Sequence, residues 1–329
     1  AILDADPRMV GLEASDYADS VAAGAIATTT GIRVAGADTS AYLGAWALAE
    51  DDSGTTTGFG FSIGRSTEDL RLEPAAADAV NRCLSMLGAA KAPSERLTVV
   101  FDPYVTSQFL GLVAELLSGE AVLRGRSAFA GRVGESVASP LVTIVDDGSM
   151  PNEWGTFAID DEGTPARRNV LIQDGILTDY LWDQLRARKE GRPVSGNGRR
   201  QSYKHLPMVR MTNTFLENGS ADPAEIVADT PHGVYVAHLG GGQVNTATGD
   251  FVFGMTEAYL IEDGRITEPL REGNLIGNGP KVLEIIDAVG DDFAMGPPGT
   301  CGKDGQGVPV GDGQPTLRVT SLTIGGTAA

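Results

Sequence analysis

Val170-Leu171-Ile172-Gln173-Asp174-Gly175-Ile176-Leu177 sets an Asp-Gly pair between two apolar runs, and Tyr259-Leu260-Ile261-Glu262-Asp263-Gly264-Arg265-Ile266 repeats the arrangement. Asp-Gly accepts the left-handed backbone angles of a tight two-residue turn, so each stretch predicts a β-hairpin. They are local copies of one solution, not a tandem repeat. The strand-rich character runs from about Ser139 to the alternating strand Thr316-Leu317-Arg318-Val319-Thr320-Ser321-Leu322-Thr323-Ile324. Its apolar side is Leu317 and Val319 and, after a phase shift, Leu322 and Ile324.

Upstream the pattern differs. Strand-like runs (Gly31 to Val34, Ala41 to Leu48, Gly58 to Ser62) surround the acidic turn Glu50-Asp51-Asp52-Ser53-Gly54, and Pro74 opens a helix reaching about Gly88. Leu97 to Phe101 predicts a short strand, and Thr106 to Leu117 a helix that is apolar nearly all round and hence buried. The expected fold class is α+β: an α/β N-terminal part over 1–138, then a β-rich domain over 139–329 with hairpins around a cavity. Two long segments, Arg188 to Arg210 and the Gly- and Pro-dense Asp291 to Gln314, read as loops.

With 329 residues, 42% hydrophobic and 21% charged, the composition is that of a globular protein, without a run long enough for a membrane helix. The net charge of −19 repels nucleic-acid backbones and anionic lipid heads. Cys83 and Cys301 form no CxxC pair, which fits a reducing cytoplasm. Histidine occurs only at 205, 232 and 238. On one strand His232 and His238 would stand about 20 Å apart, too far to share a metal.

Several polar groups are candidates for function. Gly240-Gly241-Gly242-Gln243 lacks the Lys-Ser/Thr end of a phosphate loop; it suits either close approach to an extended peptide or a tight turn. Arg199 and Arg200 could grip a carboxylate or pair with acids of the chain. Asp146-Asp147 and Asp160-Asp161-Glu162 sit beside glycine and are expected to be solvated turns.

Five segments resemble, in order, motifs of the TldD/PmbA (TldE) family: Ser127-Ala128-Phe129-Ala130-Gly131, Ile159 to Pro165, Gly196-Asn197-Gly198-Arg199-Arg200 with Met211-Thr212-Asn213-Thr214, Gly240 to Val244, and Cys301-Gly302-Lys303-Asp304-Gly305-Gln306 with Gly313-Gln314-Pro315-Thr316. The resemblance implies a paired metalloprotease subunit with a cavity in a dimer. It also implies longer chains, so that Ala1 would fall inside an N-terminal domain. The active subunit of this family carries His-Glu-x-x-x-His on a helix, completed by a cysteine. Counting back from Ser127 puts Leu110, Gly111 and Glu115 at those positions and leaves Cys301 as the remnant ligand candidate.

The resemblance therefore implies a non-catalytic, TldE/PmbA-like subunit binding no metal. Its partner would be a TldD-like chain with HExxxH that holds a divalent metal, zinc, and the pair would act on peptides. Two alternatives stay open: an autonomous hydrolase using Cys301, for instance with His205 or His238, or an unrecognised metal site; and a peptide-binding module without proteolysis.

Overall fold

The structure, a computed structural model, describes residues 2–29, 31–105 and 109–326. Two compact units emerge. One gathers the residues up to Ala25, Ala35–Lys91 and Glu268–Arg271; the other gathers Ile26–Val34, Ala92–Thr267 and the chain from Glu272 on. The expected boundary at 138/139 thus lies inside the second unit. Strand Glu95–Phe101 is the reason: it pairs with both His232–Asn245 and Leu317–Gly326, so the segment after Ala92 is built into the β-rich sheet.

The first unit contains most of a three-stranded sheet, Met9–Ala27, Arg33–Asp51 and Gly54–Gly64, and the helix Leu72–Met86. The expected acidic turn closes the last two strands, with Asp51 opposite Gly54. Pro74 sits in the first helical turn, where its missing N–H costs no hydrogen bond. Helix and sheet meet through small residues: Ala47, Ala49, Ala79 and Cys83 are buried together. Gly58 and Gly60 make the approach possible, because an added Cβ would stand 2.1 Å from the Ala79 carbonyl oxygen or 1.8 Å from that of Ala75.

In the second unit, strands follow one another in the order His232–Asn245, Glu95–Phe101, Leu317–Gly326, Gly273–Asn278, Asp250–Glu262. The last also pairs with the first, which closes a barrel-like ring. Val99, Phe253, Leu275, Val319 and Ile324 are buried in this unit. The anticipated phase shift of the final strand is a register shift between Val319 and Leu322.

A second sheet holds Ile144–Asp147 between Asn213–Leu216 and Arg168–Gln173. Both expected Asp-Gly hairpins form, with positive φ at Asp174 and Gly175 and at Asp263 and Gly264.

The Asp291 to Gln314 segment is not a loop. It carries strands Ala294–Met295, Gly299–Lys303 and Gln306–Gln314, the last two joined by a third Asp-Gly turn at Asp304 and Gly305. Its glycines permit close packing: a Cβ at Gly311 would lie 2.5 Å from Asn213 Oδ1. The Arg188 to Arg210 segment begins within helix Gln184–Glu190, capped by Gly191 in the left-handed region, and ends in a two-residue strand pair. The apolar helix is described as Phe109–Leu116, with Leu110, Val113 and Leu116 fully buried; its expected first residues 106–108 lie outside the described residues. No described helix is long and apolar enough to cross a membrane.

Candidate functional site

Side chains two apart on a strand share a face. Cys301 and Lys303, on Gly299–Lys303, accordingly both line one cavity of about 630 Å³ in the second unit. Gly111 and Glu115 of the buried helix, Glu120 of the helix after it, and Gly242 of the long strand complete much of its wall.

The corner between the two helices is pinned. Gly119 N–H donates to the Leu181 carbonyl at 2.8 Å, and Leu181 N–H donates to that of Leu117 at 3.0 Å. A Cβ at Gly119 would meet the Trp182 ring at 2.3 Å, so only glycine allows this approach. The arrangement places Glu120, 3% exposed, against the cavity.

Lys303 Nζ stands 3.0 Å from Glu115 Oε1 and 3.2 Å from Glu120 Oε2. Glu120 Oε1 also receives Arg186 at 2.6 Å and Arg124 at 2.8 Å. Burial pushes the Glu115 carboxyl above the usual carboxylate range, with Lys303 pulling against it. Burial acts on Glu120 in the same sense, but Lys303, Arg186 and Arg124 together outweigh it and hold that carboxyl below its ordinary value. One ammonium shared by two carboxylates means that they protonate in sequence, Glu115 first.

A pair of substitutions separates their roles. Glu120→Gln leaves Lys303 and Arg186 without their buried counter-ion and should cost about 3 kcal/mol in chemical denaturation. Glu115→Gln removes the more easily protonated member and should cost under about 1 kcal/mol. Because the Glu120 pKa is lowered in the fold, its contribution is present above the ordinary value of 4.5 and is lost as pH falls through the lowered one. The wild type should therefore weaken in that acid range more steeply than the Glu120→Gln variant.

Other candidates lie elsewhere. Leu110, Gly240, Gly241, Gln243, Arg199 and Arg200 are not among the residues lining this cavity. Arg199 is buried and donates to the carbonyls of Met211 (2.6 Å) and Pro309 (2.8 Å), while its guanidinium lies 4.8 Å from the Phe157 ring centre. Burial lowers its pKa to about 10, so it stays charged at neutral pH. Arg200 places its Nε 3.5 Å from Asp161 Oδ1, a pairing within the chain. The four residues from Gly240 belong to strand His232–Asn245, which shifts register three times between Val236 and Gly242; the tight-turn reading gives way to a bulged strand.

The acidic pairs are not solvated turns. Asp146 is fully buried and accepts from Asn197 Nδ2, Thr212 N–H, Thr212 Oγ1 and Thr214 Oγ1 at 2.7 to 2.8 Å. Asp160, 2% exposed, accepts from the Glu162, Thr164 and Gly198 amides. These carboxylates tie the Asn197 and Thr212 segments to the second sheet, so distant polar motifs have become one scaffold. Sequence reasoning missed Glu120 and the importance of Lys303, and it placed Asp146 in a solvated turn although it is buried. Only the two-residue spacing of Lys303 from Cys301 hinted at a shared face.

The sequence pattern of the PmbA/TldA metallopeptidase C-terminal domain matches residues 94–326, and that of the central domain matches residues 1–87. The chain belongs to the PmbA/TldD metallopeptidase family. It is 45% identical over 264 residues to the "Metalloprotease TldD homolog" of Haemophilus influenzae, covering 79% of this chain and 54% of that protein. A "Metalloprotease" of Methanothermobacter thermautotrophicus is 37% identical over 322 residues, 94% of this chain and 69% of that one. The chain thus spans little more than half the length of the Haemophilus relative. The solved structure of TldE from Thermococcus kodakarensis shares the fold, with a TM-score of 0.82 at 23% identity over 99% of this chain and 71% of that one.

A metallopeptidase family raises the question of metal donors. A zinc-type catalytic centre takes three protein ligands and an open position. Of the positions that the resemblance marks, Leu110 is apolar and buried outside the cavity lining, Gly111 has no side chain, Glu115 is paired with Lys303, and Cys301 packs beside Ala114, Met211, Val308 and Val310. Neither His205, whose Nδ1 meets Ser202 Oγ at 2.9 Å, nor His238, 3.6 Å from Glu257, lines it. Among the described residues no three His, Cys, Asp or Glu side chains gather as a metal site requires. The donor set does not fit a zinc centre.

Proposed function

We propose that this PmbA/TldD-family chain acts as the TldE-like, non-metal-binding subunit of a cytoplasmic two-chain peptidase whose partner carries His-Glu-x-x-x-His and a zinc ion. The observation that carries the reading is the Lys303 ammonium between Glu115 and Glu120. A positive charge sits there beside the helix that the family resemblance marks for metal ligands. Catalysis in this reading belongs to the partner, and this chain supplies a wall of the peptide-holding cavity.

The long strand supports a peptide ligand. Along the long strand, Glu95–Phe101 pairs with Gly233–Val236, and among the described residues the ladder around Gly241 to Val244 runs to Asp250–Glu262 on one side. Such an edge suits an extended peptide adding as a further strand. Gly242 could not bear a side chain there, since its Cβ would stand 2.3 Å from the Phe253 ring and 2.4 Å from the Val252 carbonyl oxygen.

Co-expression with a His-Glu-x-x-x-His relative from the same genome tests the assignment. A stable hetero-complex that cleaves peptides, from two chains inactive apart, is the expected result. A homodimer of this chain cleaving peptides unaided would overturn it. Cys301→Ala in the complex should keep more than about half of the activity; a loss beyond about a hundredfold with assembly intact would favour the thiol-hydrolase alternative.

A further inference from the structure

Among the described residues, five oxygens surround Lys303 Nζ. They are Glu115 Oε1 at 3.0 Å and Oε2 at 3.2 Å, Glu120 Oε2 at 3.2 Å, the Val209 carbonyl at 3.4 Å and Ser118 Oγ at 3.5 Å. An ammonium has three N–H bonds and cannot serve five acceptors with good geometry. The surplus is visible at Glu120: its Oε2 is buried and makes no hydrogen bond among the described residues, although it faces Nζ. Two carboxylates, a hydroxyl and a carbonyl make an all-oxygen set, the donor chemistry of a hard divalent cation rather than of zinc.

We propose that Lys303 is a tethered cation seated in an oxygen cage, and that its ammonium is what keeps a hard divalent ion out of this cavity. The cage is held from three directions. Glu115 ends one helix, Ser118 and Glu120 begin the next at the Gly119 corner fixed by Trp182, and Val209 lies on a strand paired with Gly198. Lys303 reaches it from strand Gly299–Lys303, a different element from those that carry the oxygens. Removing its side chain therefore empties the seat while leaving the oxygens on a separate framework. The proposal deepens the assignment of this chain as the subunit that binds no metal, and it is measured on the single chain, so it can fail while partner assembly succeeds.

The test is calcium titration calorimetry on the single chain. Lys303→Ala is expected to bind one Ca²⁺ with a Kd on the order of 0.1–1 mM, at least about a hundredfold tighter than the wild type, and adding Glu120→Gln should abolish the gain. A folded Lys303→Ala variant binding Ca²⁺ no better than wild type would overturn the proposal. So would stoichiometric Ca²⁺ binding by the wild type that is lost on Glu115→Gln/Glu120→Gln. If Lys303→Ala does not fold, thermal melts decide: Glu115→Gln/Glu120→Gln should lower the Tm by several degrees, and adding Lys303→Met should recover most of that loss. A triple variant no more stable than the double one counts against the cage.

Discussion

Asp146→Ala is expected to lower the stability of the second unit by about 4 kcal/mol, seen in calorimetry as a fall in Tm of roughly 10 °C. The carboxylate accepts four hydrogen bonds, two of them from Thr212, and all four donors are buried with it. Truncation leaves these donors unpaired in a dry interior, which costs more than the bonds contributed. Asp146→Asn keeps one acceptor oxygen but turns an amide N–H toward other donors, so it should fall between the two. Asp147→Ala is the control. That neighbour bonds Ser149 N–H locally and should cost about 1 kcal/mol or less. Equal effects at 146 and 147 would mean that the buried network does not hold the Asn197 and Thr212 segments in place.

The contrast between these adjacent aspartates explains what could be read from sequence. Asp-Gly turns are local: the left-handed angles at Asp174, Gly175, Asp263 and Gly264 follow from the residues themselves, and the hairpins form where the pattern puts them. The bulge between Val319 and Leu322 is equally local, since a slip in alternation leaves no other way to keep Leu317, Val319, Leu322 and Ile324 buried. Asp146 has no such local sign. Its partners are 51 to 68 residues away, and an acid beside a glycine looks the same whether it caps a turn or anchors a core.

The same limit applied to the Gly-rich C-terminal segment. Glycine usually punctuates strands, but at Gly311 it lies within one because Asn213 packs where a Cβ would be. The cavity was half legible. Gly111, Glu115, Gly242 and Cys301 were marked and do meet there, whereas Lys303 and Glu120 gain meaning only when the hairpin and the helix corner face each other.

Gly60→Val in the first unit applies the glycine argument where the effect should be largest. The Ala75 carbonyl oxygen lies 1.8 Å from the position of an added Cβ, and the Ala79 amide nitrogen lies 2.9 Å from it. Both belong to the backbone of helix Leu72–Met86, so no side chain can swing aside to make room. The helix must lift by more than an ångström, parting Ala79 and Cys83 from Ala47 and Ala49 and breaking the thiol contact of Cys83 to the Ala47 carbonyl at 3.0 Å. Overpacking together with the lost core contacts should cost about 4 kcal/mol. Limited proteolysis should then cut within residues 35–91 at a rate up to about a thousandfold above wild type, while fragments from the second unit persist. Gly88→Ala is the matched control, because its added Cβ would meet only Ser53 Oγ at 3.8 Å and the strain comes from its φ of 69° alone. It should cost about 1 kcal/mol, so cleavage at similar rates in the two variants would place the weakness in backbone conformation instead of in the helix-to-sheet contact.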